Sequence, residues 1–265
     1  MAHWRVWCAW AATIAISLCL TARAGATPPE GEPELTVFNV QFEGQPNGRL
    51  ASQVLNALRR TEREYRQRLG FGPLGPVTVV ILGATRERDE RLPEWADGLY
   101  DGTIRVPAPD SGEPTARLIT VLRHELAHSF VDSRTRGNCP AWLQEGLSQW
   151  LEGAVLDRDD ARLAGLARTG DLPALLTLEA PFVSRPDAMV SVAYEASLSA
   201  AAHIVRTRGV PGIVRLLESL GAGLPSEEAL PNALGMTYRQ LQESWEDHLR
   251  THSITHQRPP GGTAR

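Results

Sequence analysis

The chain has 265 residues, which is enough for one sizeable domain or for two small lobes that share a cleft. Its composition, 42% hydrophobic and 22% charged, is that of a globular protein and argues against disorder, a collagen-like fold and a polytopic membrane protein. The formal net charge of −4 comes without a strong basic stripe, so nucleic acid is not expected as a partner.

Residues 1–24 have the organisation of a secretory signal peptide. A positively charged start, MAHWR, precedes the uncharged run VWCAWAATIAISLCL, and Ala22-Arg23-Ala24 then offers a small-x-small cleavage site. The run is short for a membrane span, which needs about 20 apolar residues, although an uncleaved N-terminal anchor stays open as an alternative. We therefore expect an exported protein, periplasmic or extracellular, that contacts a membrane only if this segment is retained.

A linker rich in Pro, Gly and Glu occupies 25–34, and residues 35–157 predict a small mixed α/β lobe. The predicted order is a strand in LTVFNVQFEG, a helix in RLASQVLNALRRTEREYRQRLG that Gly70 ends, and a short buried strand in PVTVVILG. The segment DGLYDGTIRVPAP predicts a strand or a hairpin with its turn at Asp101-Gly102. Its part DGTIRVP is a candidate edge strand for binding an extended peptide, with a plain hairpin as the alternative.

The remaining chain is predominantly helical in pattern. Residues 158–250 predict a helical lobe, and 251–265 predict a flexible tail. The expected fold class is therefore α+β, with a small mixed α/β N-terminal lobe, a mostly helical C-terminal lobe and a cleft between them.

The segment RHELAHSF, residues 123–130, carries two histidines four positions apart on a helix predicted over roughly 114–133. At 100° per residue, His124 and His128 share one face, and apolar residues occupy the opposite face. The two ring nitrogens can converge on one metal ion, and Zn²⁺ accepts neutral imidazole. Glu125 is turned about 100° around the helix axis, which places it beside the metal as a general base for metal-activated water.

A catalytic zinc usually has three protein ligands and keeps a fourth position open for water. The second predicted helix, AWLQEGLSQWLEG, starts near Pro140 and carries Glu145 on the side opposite its leucines. Because the break SRTRGN is short, this helix can pack against the first one with Glu145 facing the histidines. The sequence thus predicts one Zn²⁺ per chain, held by His124, His128 and Glu145.

The motif H-E-x-x-H, sixteen residues before the glutamate of W-L-x-E-G, resembles the gluzincin metallopeptidases of the peptidase MA type, and most closely their aminopeptidase-like branch. The resemblance is specific over residues 123–152. It implies a zincin-like fold with the active site in the cleft, zinc on His124, His128 and Glu145, and Glu125 as the general base. The implied reaction is zinc-dependent hydrolysis of peptide or protein substrates.

Such enzymes often add a tyrosine from the helical lobe that hydrogen-bonds the oxyanion, and Tyr194 has that place in chain order, with a core or surface tyrosine as the alternative. The Gly-x-Met-Glu-Asn segment that binds the substrate's free amine in aminopeptidases is absent before His124, so the choice between endo- and exopeptidase stays open. Two other functions stay open as well: a non-catalytic zinc-containing binding or scaffold protein, and an amidase acting on a non-protein envelope amide.

Overall fold

The structure is a computed structural model that describes residues 36–83, 97–154, 159–182 and 187–256. The predicted signal peptide and linker, 1–34, lie outside the described residues. None of the helices within the described ranges is long and apolar enough to cross a membrane.

A small sheet is followed by a series of helices. The strands are β1 (Phe38–Glu43), β2 (Val77–Leu82), β3 (Leu99–Tyr100) and β4 (Ile104–Pro107). The helices are α1 (Gly48–Leu69), α2 (Ala116–Thr135), α3 (Ala141–Glu152), α4 (Asp159–Thr169), α5 (Asp187–Gly221), α6 (Ser226–Leu234) and α7 (Tyr238–His256), with a 3₁₀ turn at Leu175–Leu178. This order confirms the predicted α+β class, and α7 continues past residue 250 into the region predicted as a tail.

The four strands lie in the order β1-β2-β4-β3, and only β3 runs antiparallel to its neighbour. A tight turn joins β3 to β4, and Gly102 takes the positive φ of 93° that this turn needs. The hairpin alternative for this segment is therefore correct. The expectation that DGTIRVP forms the sheet edge is wrong, because β4 pairs with β2 on one side and, at Ile104 and Arg105, with β3 on the other.

Two hydrophobic cores lie on either side of the helix pair α2 and α3. The first core joins the sheet, α1 and the apolar face of α2, and its buried members include Val54, Leu58, Val79, Ile81, Ile104, Leu122, Leu126 and Phe130. The second core joins α3 to the following helices, and its buried members include Trp142, Leu143, Leu147, Ile204, Leu216, Leu217 and Trp245. The two helices with the predicted site residues are thus held from both sides by packed apolar groups.

Helix α3 approaches α5 closely at Gly146. A Cβ atom at this position would lie 2.1 Å from the backbone carbonyl oxygen of Ser197, so only glycine permits the contact. Because α5 covers this side of α3, the neighbouring Glu145 is held on the side that faces α2.

Candidate metal centre

Helix α2 begins with a side-chain cap and buries its apolar face. The Thr115 hydroxyl accepts a hydrogen bond from the backbone N–H of Leu118 at 3.1 Å, which satisfies one of the free amides of the first turn. Burial of Leu126 and Phe130 in the first core then orients the helix. The opposite face presents the two predicted histidines to α3.

The structure brings the three predicted metal ligands together. His124 Nε2 and His128 Nε2 are 3.0 Å apart, and Glu145 Oε2 lies 3.4 Å from the first nitrogen and 3.6 Å from the second. These three ligand atoms lie within 4.8 Å of one another and could hold a metal ion. The approach of α3 to α2 that the sequence predicted is therefore present.

One oxygen of the Glu145 carboxylate, Oε2, is buried in this pocket. It has no hydrogen-bond partner among the described residues, and its charge is compensated only by the two imidazole nitrogens at 3.4 and 3.6 Å. Burial of a charged oxygen without hydrogen bonds is costly, and a cation between it and the two rings would compensate it.

The charges around the pocket also favour a cation. Burial opposes ionisation of Glu145, but the two imidazoles hold the pKa of its carboxyl below the ordinary value. Burial lowers the pKa of His128 to about 4, so this ring is neutral at neutral pH and can offer a lone pair to a metal. Burial acts in the same direction on His124, but Glu145 and Glu152 outweigh it and raise the pKa of His124 to about 10. A metal ion would displace the proton that this ring carries without it.

Glu125 is buried next to the ligands, with only 6% of its surface exposed. Burial raises the pKa of its carboxyl to about 7; His124 opposes this shift, and Glu145 and Glu152 reinforce it. A carboxyl group with a pKa near neutrality is suited to accept and return a proton.

Gly98, which directly precedes β3, lies close against Glu125. A Cβ atom on Gly98 would lie 2.9 Å from Glu125 Oε1 and 2.5 Å from Val121 Cγ1. Sequence reasoning did not single out Gly98, because nothing in its neighbourhood distinguishes it from an ordinary loop glycine. The contact with the predicted base arises only when the sheet is placed against α2.

Tyr194 lies in the first half of α5, and its backbone carbonyl accepts a hydrogen bond from Gln149 Nε2 of α3 at 3.0 Å. Its ring packs edge-on against Phe182, with centroids 5.2 Å apart. Burial, together with the negative charges of Glu145 and Glu125, raises the pKa of its hydroxyl well above the ordinary value. Tyr194 is therefore electrostatically coupled to the ligand pocket and is un-ionised at neutral pH, and its catalytic role stays a prediction.

A second tyrosine, Tyr100 of β3, was missed in the sequence. Its ring lies parallel to that of His128, with an interplanar angle of 7° and centroids 6.4 Å apart. The Tyr100 hydroxyl donates to Asp132 Oδ2 at 3.1 Å, one turn further along α2. Tyr100 of the edge strand thus lies beside His128.

A cavity of about 370 Å³ lies beside the N-terminal part of α2. Five of its lining residues are apolar and five are polar or charged: Pro107, Ala108, Pro109, Leu118 and Val121, and Asp97, Asp110, Ser111, Thr115 and Arg117. Leu118 and Val121 share a helix face with Glu125. Val121 is also a residue that a Cβ atom on Gly98 would contact. The cavity therefore opens within about two helical turns of Glu125.

A family model described as Peptidase MA superfamily matches residues 109–251, which is more than half of the chain. The matched segment contains all of α2 and α3 and therefore all three predicted metal ligands. It continues through the helical part that contains Tyr194. No curated protein matches the chain.

Proposed function

The chain belongs to the Peptidase MA superfamily, and we propose that it is a zinc-dependent metallopeptidase of the gluzincin type that resembles the aminopeptidase-like branch. The proposed zinc ligands are His124, His128 and Glu145, and the proposed general base is Glu125. The observation that carries the proposal is the spacing of the three ligand atoms beside a buried carboxyl group.

That spacing agrees with tetrahedral zinc. Zn²⁺ bonds histidine nitrogen and carboxylate oxygen at about 2.0–2.2 Å, so a tetrahedral arrangement separates neighbouring ligand atoms by about 3.3–3.6 Å. The two distances to Glu145 Oε2 are 3.4 and 3.6 Å, and the two ring nitrogens are slightly closer at 3.0 Å. The buried Glu145 Oε2 atom, which has no hydrogen bond among the described residues, supports the same conclusion, because zinc would bind it directly.

The chain's own residues supply the proton transfers of peptide hydrolysis. When bound, zinc supplies Lewis-acid polarisation of the scissile carbonyl and lowers the pKa of water towards about 7. Glu125 accepts the proton of the attacking water and then returns it to the leaving amine. Tyr194 donates a hydrogen bond to the carbonyl oxygen as negative charge develops on it.

The cavity beside α2 is a candidate binding site for a side chain of the substrate. We propose that it receives a side chain of the substrate close to the scissile bond, because it lies within two turns of Glu125 and combines apolar walls with the charged groups of Asp110 and Arg117. A bound peptide would also pass Tyr100 on β3. Within the described part of the sheet, β3 is an edge strand, so its outer backbone groups are available to pair with the peptide.

Metal analysis and cleavage of a peptide library, with products identified by mass spectrometry, test the proposal. The zinc-supplemented protein should contain about one zinc per chain and should cleave peptides of the library. Glu125→Gln should keep the zinc and lose about 10²–10⁴-fold in kcat, because it removes only the proton acceptor. Absence of zinc, or unchanged turnover in this variant, would contradict the assignment. Zinc without cleavage of any peptide would favour the scaffold or the envelope amidase.

We also propose that the protein is exported, since residues 1–24 have the organisation of a signal peptide. Expression of the full chain in a bacterial host should give a mature protein that begins at Gly25. A full-length chain in the membrane fraction would instead identify the segment as an anchor.

A further inference from the structure

Helix α1 has an exposed face that is rich in arginine. Of the six arginines in this helix, Arg59, Arg60 and Arg63 lie together on the exposed face of its second half. None of the three forms a salt bridge or a hydrogen bond with another described residue. Arg59 and Arg63 are one turn apart, where two like charges repel each other. An anionic partner would relieve this repulsion.

The two glutamates of α1 do not neutralise this face, because each of them has other partners. Glu62 is buried, and its Oε1 atom accepts hydrogen bonds from Arg66 Nε at 2.8 Å and from the backbone N–H of Thr36 at 3.0 Å. The Glu64 carboxylate accepts two hydrogen bonds from Arg123 of α2, at 2.8 and 3.0 Å. Basic and acidic residues are interleaved in RRTEREYRQR, so the sequence shows no basic stripe. The fold separates the charges.

The N-terminal end of the described chain is fixed beside the arginine face. The Thr36 hydroxyl accepts a hydrogen bond from Arg66 Nη2 at 3.1 Å, in addition to the contact of Thr36 with Glu62. Glu62 and Arg66 lie one position before and three positions after Arg63, so Thr36 is held within about one helical turn of the face.

The distance from Thr36 to the predicted signal peptide is limited by the chain between them. Residues 25–35 can span at most about 40 Å when fully extended. If residues 1–24 were retained in a membrane, they would therefore hold the arginine face within reach of the lipid. If they were cleaved, membrane contact would depend on the arginines alone.

The arginine face lies on the side of α1 that is turned away from the metal centre. The buried face of α1 packs against the apolar face of α2 in the first core, where the rings of Tyr65 and Phe130 meet edge-on with centroids 5.5 Å apart. His124 and His128 lie on the opposite face of α2 and meet Glu145 there. A partner bound to the arginines would therefore leave the metal centre uncovered.

We propose that the face formed by Arg59, Arg60 and Arg63 docks on a membrane surface that contains anionic lipids. A membrane fits better than a nucleic acid, because the whole chain has a net charge of −4, which opposes wrapping by a long polyanion. Contact with a membrane needs only one basic face, since charges more than about 10 Å away are screened. Each basic residue near an anionic surface strengthens binding about fivefold, so three give about 10²-fold.

Co-sedimentation with vesicles tests the proposal. The full chain is expressed in a bacterial host and purified with the N-terminus that results. It is then mixed with vesicles of phosphatidylcholine alone, or of phosphatidylcholine and phosphatidylglycerol in equal parts. The wild type should bind the anionic vesicles about 10²-fold more tightly, and added salt should reduce this preference. The ratio between the two vesicle types is informative even if residues 1–24 are retained, because an apolar anchor inserts into both.

The double variant Arg59→Gln with Arg63→Gln should lower the preference to about fivefold, because one arginine remains on the face. The matched control is Arg168→Gln with Arg239→Gln, which makes the same change in net charge at exposed positions of α4 and α7. The control should keep the wild-type preference. Both double variants should keep the wild-type melting temperature, because the replaced residues are exposed.

Three outcomes would overturn the proposal. The first is a wild type without preference for the anionic vesicles, and the second is an equal loss of preference in the two double variants. The third is a preference that appears only after Glu30, Glu32 and Glu34 are replaced by glutamine, because it would assign the arginines to the chain's own acidic segment. None of these measurements requires a bound metal or peptide cleavage, so failure of the proposed function would leave the result unchanged.

Discussion

Replacement of Gly98 by alanine should slow peptide cleavage without removing the metal. The new Cβ atom would lie 2.5 Å from Val121 Cγ1 and 2.9 Å from Glu125 Oε1, whereas ordinary van der Waals contact begins at 3.4 Å. Either the strand or the two side chains must therefore move by about 0.9 Å. Neither Val121 nor Glu125 can give way easily, because both lie on α2, whose opposite face is packed in the first core.

The size of the effect follows from this displacement. Overpacking of a well-packed site costs about 1–3 kcal/mol, and misplacement of a catalytic group by about 1 Å can cost about 10²-fold in rate. We expect kcat/KM to fall about 10–100-fold in Gly98→Ala. The melting temperature should fall by roughly 2–10 °C, as expected for a domain of this size. Zinc stoichiometry should stay at the wild-type value, since the atoms nearest to the new Cβ belong to Val121 and Glu125 and not to the three proposed ligands.

The assay is cleavage of one defined peptide by zinc-loaded protein, with the zinc content measured in the same samples. Gly165→Ala is the matched control, because Gly165 lies in α4 and a Cβ atom there would meet nothing within 4 Å. This control should keep wild-type activity. A Gly98→Ala variant with wild-type kcat/KM and wild-type stability would refute the placement of Gly98 against the general base.

Three further outcomes follow from the site. Tyr194→Phe should lower kcat by about 10²–10³-fold with little change in KM, because the ring keeps its packing against Phe182 and loses only the hydroxyl; an unchanged kcat would exclude the oxyanion role. Cleavage should fall as the pH drops through the pKa of Glu125, because only the ionised carboxylate accepts a proton. That pKa is raised to about 7 without metal, and a bound cation lowers it, so at constant zinc occupancy the acid limb of the pH profile should lie below pH 7. Gly146→Ala should destabilise the fold by about 3 kcal/mol in denaturant unfolding, since its Cβ would lie 2.1 Å from the Ser197 carbonyl oxygen; a wild-type midpoint would contradict this contact.

The proposed ligand set was predictable from sequence because it depends on local geometry. The i, i+4 spacing of His124 and His128 places both rings on one helix face whatever surrounds the helix. The addition of Glu145 required only a short connection and a second amphipathic helix, both of which the sequence contains. The α+β class followed in the same way from the change in hydrophobic period after residue 158.

The neighbours of the ligands were not predictable, since they belong to segments that meet only on folding. Glu152 is 28 residues from His124, and Tyr100 is 32 residues from its partner Asp132. A glutamate at a helix end, a tyrosine in a short strand and a glycine in a loop are ordinary residues in sequence. Only their distances to the histidines and to Glu125 give them a role.

The edge of the sheet was also decided by tertiary structure. The pattern of DGTIRVP is compatible with an edge or an inner strand, because alternation of side chains does not report how many neighbours the backbone has. The two-residue strand β3 occupies the outer side of β4 and carries Tyr100 beside His128.

The sequence by itself determined the class of fold and the chemistry of the candidate centre, because helical periodicity and the identity of the donor atoms are properties of short segments. The tertiary structure decided which groups surround that centre, namely Glu152, Gly98 and Tyr100. The physical reason is that hydrogen bonds and close contacts act over about 3–4 Å, and only the packed chain brings residues from different elements within that range.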